Sequence, residues 1–320
     1  MRTILRLSVA ALAFVLVLGA GSAQADVQIH TVVSFDPAEG GFPEGTVAGV
    51  RGDVYVSRSN PVNEILRIAP DGSRSVVAHF DVGGFGPLGM AVNARGDLYV
   101  AVASFDPATR GIYRVWPDGS TARLPGTSRM LFPNGIALDH DGTIYATDSI
   151  RGAVFRIPRG GVARVWVKDP LLAGNGSFGF GFPIGANGVV VGHRHEVVVS
   201  NTEGARIVTI GIARDGAAEA PRVLAEGPEL YGADGIAMDV FGRVYAALNI
   251  QDELVRIGTN GGVTTLATAA DGLNTPASLS FGTSHGQRKD LFVTNFAAFS
   301  AEPHPALLEA GVGAPGLPVG

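Results

Sequence analysis

The chain has 320 residues, with 24 lysines and arginines against 29 aspartates and glutamates, a formal net charge of −5 and no cysteine. The basic residues are scattered, which excludes a basic patch for nucleic acid or an anionic membrane surface, and the lack of cysteine excludes thiolate catalysis, zinc–thiolate sites and iron–sulfur clusters. The 45 glycines and 19 prolines, set among alternating Val, Ile and Tyr, point to short strands joined by tight turns.

At the N-terminus, Arg2 and Arg6 precede an apolar run from Leu7 to Leu18, followed by Ala23-Gln24-Ala25. This is the pattern of a secretory signal cleaved before Asp26. The run is short for a membrane span and nothing later resembles one, so a periplasmic or secreted protein with no membrane contact after cleavage is expected. Loss of residues 1–25 removes two arginines and no acid, taking the formal charge from −5 to −7.

Six copies of one pattern then follow. Pro43-Glu44-Gly45, Pro87-Leu88-Gly89, Pro133-Asn134-Gly135, Ala186-Asn187-Gly188, Ala233-Asp234-Gly235 and Pro276-Ala277-Ser278 each open an apolar run that ends in a turn. The middle residues, here called slots, are spaced by 44, 46, 53, 47 and 43 residues. From the slot to the centre of the second strand is 11 residues in five copies, reaching Tyr55, Tyr99, Tyr145, Val198 and Tyr245; the sixth reaches Phe292 after 15. Third strands follow, such as Ile65-Leu66-Arg67-Ile68 and Leu254-Val255-Arg256-Ile257, and their arginines are expected on a solvated face. A repeat in the forties made of strands predicts an all-β fold, a six-bladed β-propeller with four-stranded blades around a central metal site. The strand at residues 27–33 is placed to supply the outer strand of the last blade and close the ring. Residues 26–300 are therefore assigned to the propeller and residues 301–320, rich in Ala, Pro and Gly, to a tail packed on the surface or disordered.

If each slot begins an innermost strand, the slot side chains meet on the axis. Glu44, Asn134, Asn187 and Asp234 would then form an all-oxygen nest with a formal charge of −2, suited to calcium, with magnesium or manganese as alternatives. Asp148, Asn201 and Asn249 follow the second strands and return toward that face as candidates for substrate contact or support. Phe132, with Phe178, Phe180 and Phe182 of the glycine-rich segment 174–185, either lines an apolar mouth or packs beneath a long loop. His193 and His195 fall in a turn away from the slots, as do His140 and His285, while His304 is in the tail.

The Glu44-Gly45, Asn187-Gly188 and Asp234-Gly235 pairs resemble the senescence-marker-protein/gluconolactonase family, also called regucalcin-like, and the related diisopropyl fluorophosphatase and paraoxonase propellers. The likeness spans roughly residues 30–299. It implies a catalytic divalent cation on the axis held at Glu44, Asn187 and Asp234. Asn134 matches a residue that binds metal in phosphatase-like members and substrate in gluconolactonases. Pro133-Asn134-Gly135-Ile136-Ala137 is also similar to the strictosidine synthase-like branch, whose members can lack the metal. Sugar-lactone members often carry Arg-x-Asn-Asp-Gly where this chain has Leu131-Phe132-Pro133-Asn134-Gly135, which speaks against sugar lactones. The expected activity is metal-dependent hydrolysis of a small lactone or ester by a monomer, with Asp234 as base or nucleophile and Glu44 as anchor. Phosphotriester hydrolysis on the same ion, or a non-catalytic propeller with a structural ion, are the alternatives.

Overall fold

A computed structural model describes residues 27–318; the expected signal segment, residues 1–25, lies outside the described residues. The chain forms six antiparallel sheets of four strands each, the arrangement predicted from the repeat. Blades 1 to 6 begin with the innermost strands Pro43–Ala48, Gly86–Val92, Pro133–Leu138, Ala186–Gly192, Ala233–Met238 and Pro276–Phe281. Neighbouring innermost strands pack on one another around the ring. Val, Ile, Leu and the second-strand aromatics fill the wedges between blades; Tyr145, Tyr245 and Phe292 are among the largest fully buried side chains. Among the described residues no helix is long and apolar enough to cross a membrane.

The ring closes as expected at one end of the chain and differently at the other. Ile29–Ser34 is the outermost strand of blade 6, so the N-terminal segment completes the last sheet. Its partner, however, is Ala306–Gly311, which lies in the segment assigned to a tail. That assignment is corrected: Ala306–Gly311 pairs along its whole length with Asp290–Asn295 and buries Leu307 and Leu308. Ala-Leu-Leu-Glu-Ala carries little intrinsic strand preference, and the pairing of both its edges overrides it. Beyond it the chain crosses the far end of the ring, where Gly316 and Leu317 donate to the carbonyls of Arg288 and Met238 and Val240 donates to Pro315.

The third-strand arginines lie on a partly solvated face, as expected, and there they also form ion pairs. Arg67 and Arg114 bind Asp53 and Asp97 across the sheet at 2.6 and 2.7 Å. They are partly exposed ion pairs that tie third strands to second strands.

Candidate active site on the propeller axis

All six innermost strands break register at the slot. In blade 1, Pro43 pairs with Arg58 and Thr46 with Val56, so Glu44 and Gly45 together oppose Ser57. The same two-against-one count recurs in the other five blades. Such bulges re-aim a side chain out of the alternation of the strand, and here they turn each slot residue toward the axis.

The glycine after the slot is explained by the neighbouring blade. A Cβ on Gly45, Gly89, Gly135, Gly188 or Gly235 would lie 2.2–2.6 Å from the slot carbonyl of the next blade. None of the five has a positive φ, so the Asn-Gly and Asp-Gly pairs at the slots are close-approach sites in strands and not turns. The opposing residue completes the joint in four blades. Ser57, Thr147, Ser200 and Thr294 donate their hydroxyls to the slot carbonyls of Leu88, Asn187, Asp234 and Glu44 in the following blades. Ser57, Thr147 and Thr294 also accept the N–H of Gly45, Gly135 and Ser278 in their own blades. Blades 2 and 5 have Ala101 and Ala247 at this position.

Glu44, Asn134, Asn187 and Asp234 meet at the floor of a cavity of about 310 Å³ that opens on the slot face. The same four side chains cap a narrow channel of about 50 Å³ beneath. Two grooves of about 500 and 530 Å³ lie between the outer parts of blades 1 to 3. They are lined by the Asp–Arg pairs of the sheets and lie far from the slots, so their size carries no chemical weight.

In three blades the residue fifteen positions after the slot orients the slot side chain. Asn134 donates its amide to Ser149 Oγ at 3.2 Å and Asn187 donates to Thr202 Oγ1 at 2.9 Å. Both hydroxyls donate onward to carbonyls of the next blade, Ala186 and Ala233, at 2.8 Å. A hydroxyl whose proton is committed can only accept, so the NH₂ must face it and the amide Oδ1 is left for the axis. Asn249 Nδ2 donates to Asp234 Oδ2 at 3.0 Å, leaving its own Oδ1 buried without a donor. Since a buried unpaired oxygen costs about 1–3 kcal/mol, the carboxylate must dictate that orientation.

The two carboxylates are raised in proton affinity. Burial pushes Asp234 up to about 7, offset in part by the amides of Asn249 and Asn187. Burial, and then the Asp234 charge, push Glu44 well above the usual carboxylate range. Glu44 keeps some exposed area because it opens into the cavity, yet protein walls on every side leave its charge poorly solvated. Two desolvated carboxylates beside two outward amide oxygens fit a hard divalent cation in donor type and in charge. Among the described residues no three acidic or histidine side chains converge, so neutral amides would have to supply half of the protein ligands.

Of the other candidates, Phe132 and Asn249 line the cavity, as do Phe178 and Phe180. Asp148 and Asn201 do not, and their expected role at the site is corrected. Asp148 accepts from the N–H groups of Leu131 and Phe132 and pairs with Arg151, while Asn201 binds the carbonyls of Leu171 and Ala173. They sit one position before Ser149 and Thr202, and one step along an extended chain reverses the side chain. Counting fifteen from each slot, the offset that finds Asn249, would have found both hydroxyls. Residues 193–195 form a turn on the opposite face, as expected for the histidines there.

No protein-family model matches the chain, and no curated protein matches it. Solved structures do resemble it: a gluconolactonase from Xanthomonas campestris (20% identity, 91% of each chain, TM-score 0.67) and a luciferin-regenerating enzyme (12%, 92% of this chain and 98% of that one, 0.69). A virginiamycin B lyase from Staphylococcus aureus is similar at 18% identity, over 85% of this chain and 82% of that one, with a TM-score of 0.58. The likeness to gluconolactonase-like propellers is thus shared by the three-dimensional fold, and at these identities it is a likeness of fold.

Proposed function

We propose that the protein is a divalent-cation-dependent hydrolase of lactones or related esters, working at the floor of the axial cavity. The observation that carries this reading is the convergence of Glu44 and Asp234, both desolvated, with two amides oriented by hydroxyl groups, beneath an otherwise apolar cavity. Glu44, Asn134, Asn187 and Asp234 would hold the cation, with calcium preferred for an all-oxygen set and magnesium or manganese as substitutes. When bound, the cation would polarise a substrate carbonyl and acidify a neighbouring water.

The residues divide the remaining work. Asp234 is the general base and takes the proton of the attacking water on its carboxylate, held in place by the Asn249 amide on Oδ2. Glu44 supplies the second negative charge that anchors the site. Ser149 and Thr202 keep the amides of Asn134 and Asn187 turned outward. The aromatic walls restrict water and so strengthen each of these interactions. A purely structural ion is disfavoured, since four hydroxyl latches already join slot to slot around the ring.

The test is hydrolysis of a panel of lactones, aryl esters and phosphotriesters by the protein from Asp26 onward, with chelator and with calcium returned. Lactone or ester turnover that chelator removes and calcium restores supports the reading. Turnover of phosphotriesters alone, or turnover indifferent to chelator, overturns it.

A further inference from the structure

Above the polar floor, the cavity is bounded by a continuous belt of phenylalanines contributed by four blades and one loop. Ring centroids run from Phe42 to Phe296 (6.2 Å), Phe299 (5.4 Å), Phe180 (5.7 Å), Phe85 (6.1 Å) and Phe132 (5.2 Å). Among the described residues that line the cavity there is no lysine, arginine or histidine, and only Ser59 and Asn60 are polar among those above the floor. Asn60 is partly engaged, its Oδ1 accepting from Asn63 and its backbone N–H donating to the Phe85 carbonyl. Phe132 and Phe85 pack inward on Leu88 and Ala103, but the belt goes beyond interior packing: Phe180 and Phe299 remain 37% and 47% exposed, and the rings border a space of about 310 Å³. A contiguous exposed apolar patch around a cavity marks a binding surface.

One carboxylate holds the loop side of this belt in place. The segment from Gly174 to Gly185 leaves and rejoins the fold at a closed neck, where a Cβ on Gly185 would meet Gly174 N at 2.5 Å. Inside the neck, Glu203 is 4% exposed and accepts the N–H groups of Asn175 and Gly176 at 2.6 Å each and of Phe178 at 3.0 Å. Gly176, Gly179 and Gly181 have positive φ and open space around them, so the packing of the segment falls to Phe178, Phe180 and Phe182. Glu203 follows Thr202, so one strand end supports both the floor and the aromatic wall.

We infer that the substrate of this site carries a bulky apolar group next to the reacting carbonyl, as an alkyl- or aryl-substituted lactone or ester, gripped by the phenylalanine belt. Glu203 is the positioning residue that holds Phe178 and Phe180 over the mouth. The inference rests on the hydrolase reading for the word carbonyl, and on the belt alone for the word apolar. Sugar lactones are poor candidates because their several hydroxyls, moved from water to an aromatic wall, lose hydrogen bonds that Ser59 and Asn60 can replace only in part. An apolar substituent gains about fourfold in affinity for each methylene buried.

The experiment measures kcat and KM of the calcium-loaded protein on γ-lactones bearing hydrogen, butyl or octyl substituents and on glucono-δ-lactone. In parallel, binding of 2-octylcyclopentanone, which cannot be hydrolysed, is measured by calorimetry with chelator present. The expected result is kcat/KM rising about a hundredfold from the unsubstituted to the octyl lactone, the gain from burying about three or four of its carbons while the rest of the chain stays in the open mouth, with the sugar lactone slowest. Phe180→Ala should weaken 2-octylcyclopentanone about tenfold, and Glu203→Gln should raise KM for the octyl lactone severalfold at nearly constant kcat. Phe180 is exposed, so its variant should melt with the wild type. A flat dependence on chain length, or faster turnover of the sugar lactone, overturns the inference. Tight binding of 2-octylcyclopentanone without hydrolysis of any lactone supports the apolar specificity and sinks the hydrolase reading instead.

Discussion

The two ends of the central channel are made by the same six strands and present opposite chemistry. At the slot end, bulges turn Glu44, Asn134, Asn187 and Asp234 onto the axis beneath an aromatic mouth. At the turn end, the strands continue in regular alternation and the channel is lined by residues such as Val47, Val92, Leu138, Val191, Met238 and Phe281, covered by Leu317 and Pro318. The turn end shows what the ring needs to hold together, which is aliphatic packing and a closing segment. The slot end carries more than that: two buried carboxylates work against stability, and the joints between slots are already made by hydroxyls and glycines. Polar groups placed against the interests of the fold mark the place where function resides.

That contrast is broken most directly by neutralising the slot end. Asp234→Asn should lower kcat by about a thousandfold, the scale of a lost general base, with turnover measured at saturating calcium. Melting should hold or rise, because a desolvated charge has gone. Asp234→Asn with undiminished turnover would remove the base from the account.

The joints come next. Gly188→Ala would place a Cβ 2.4 Å from the Asp234 carbonyl, and the rigid backbone there leaves no room to yield. A loss of about 3 kcal/mol is expected in denaturant unfolding. Gly286→Ala, with nothing within 4 Å and no positive φ, should stay within about 0.5 kcal/mol of wild type. Thr147→Val should cost about 2 kcal/mol by leaving the Asn187 carbonyl and the Gly135 N–H without their hydroxyl partner.

The pH dependence separates the two ends as well. Asp234 keeps its proton in the folded protein to about pH 7, while the unfolded chain releases it near the ordinary 3.8. Between those values the native state binds more protons than the unfolded one, so stability falls as pH rises across that window. In chelator, melting should decline from pH 4 to 7 less steeply for Asp234→Asn than for wild type, and equal slopes would contradict the burial of that carboxylate. The smallest effect is expected at the turn end, where removal of residues 312–320 should lower the melting temperature by a few degrees and leave turnover in place.

Much of this was legible in the residues, and the misses are specific. The equal spacing from slot to second-strand aromatic exposed the ring because one blade geometry repeats, and Val27–Val33 announced closure by its own strand pattern. Ala306–Gly311 was hidden because its composition suits a helix or a tail, and only the two unpaired edges waiting for it make it a strand. Ser149 and Thr202 were hidden by period two: Asp148 and Asn201 look more like site residues, and they face the opposite way. The role of the slot glycines is hidden for another reason. Asn-Gly in sequence signals a turn, whereas these glycines answer to a carbonyl some forty to fifty residues away, which local pattern does not contain.

The most direct test of the central claim is a calorimetric titration of calcium into the chelator-treated protein, with lactone turnover followed in the same samples. One ion per chain is predicted, with turnover returning at the same midpoint and with binding weakened by at least tenfold in Glu44→Gln. Absence of binding, or binding that Glu44→Gln leaves unchanged, would contradict a cation held at the slots.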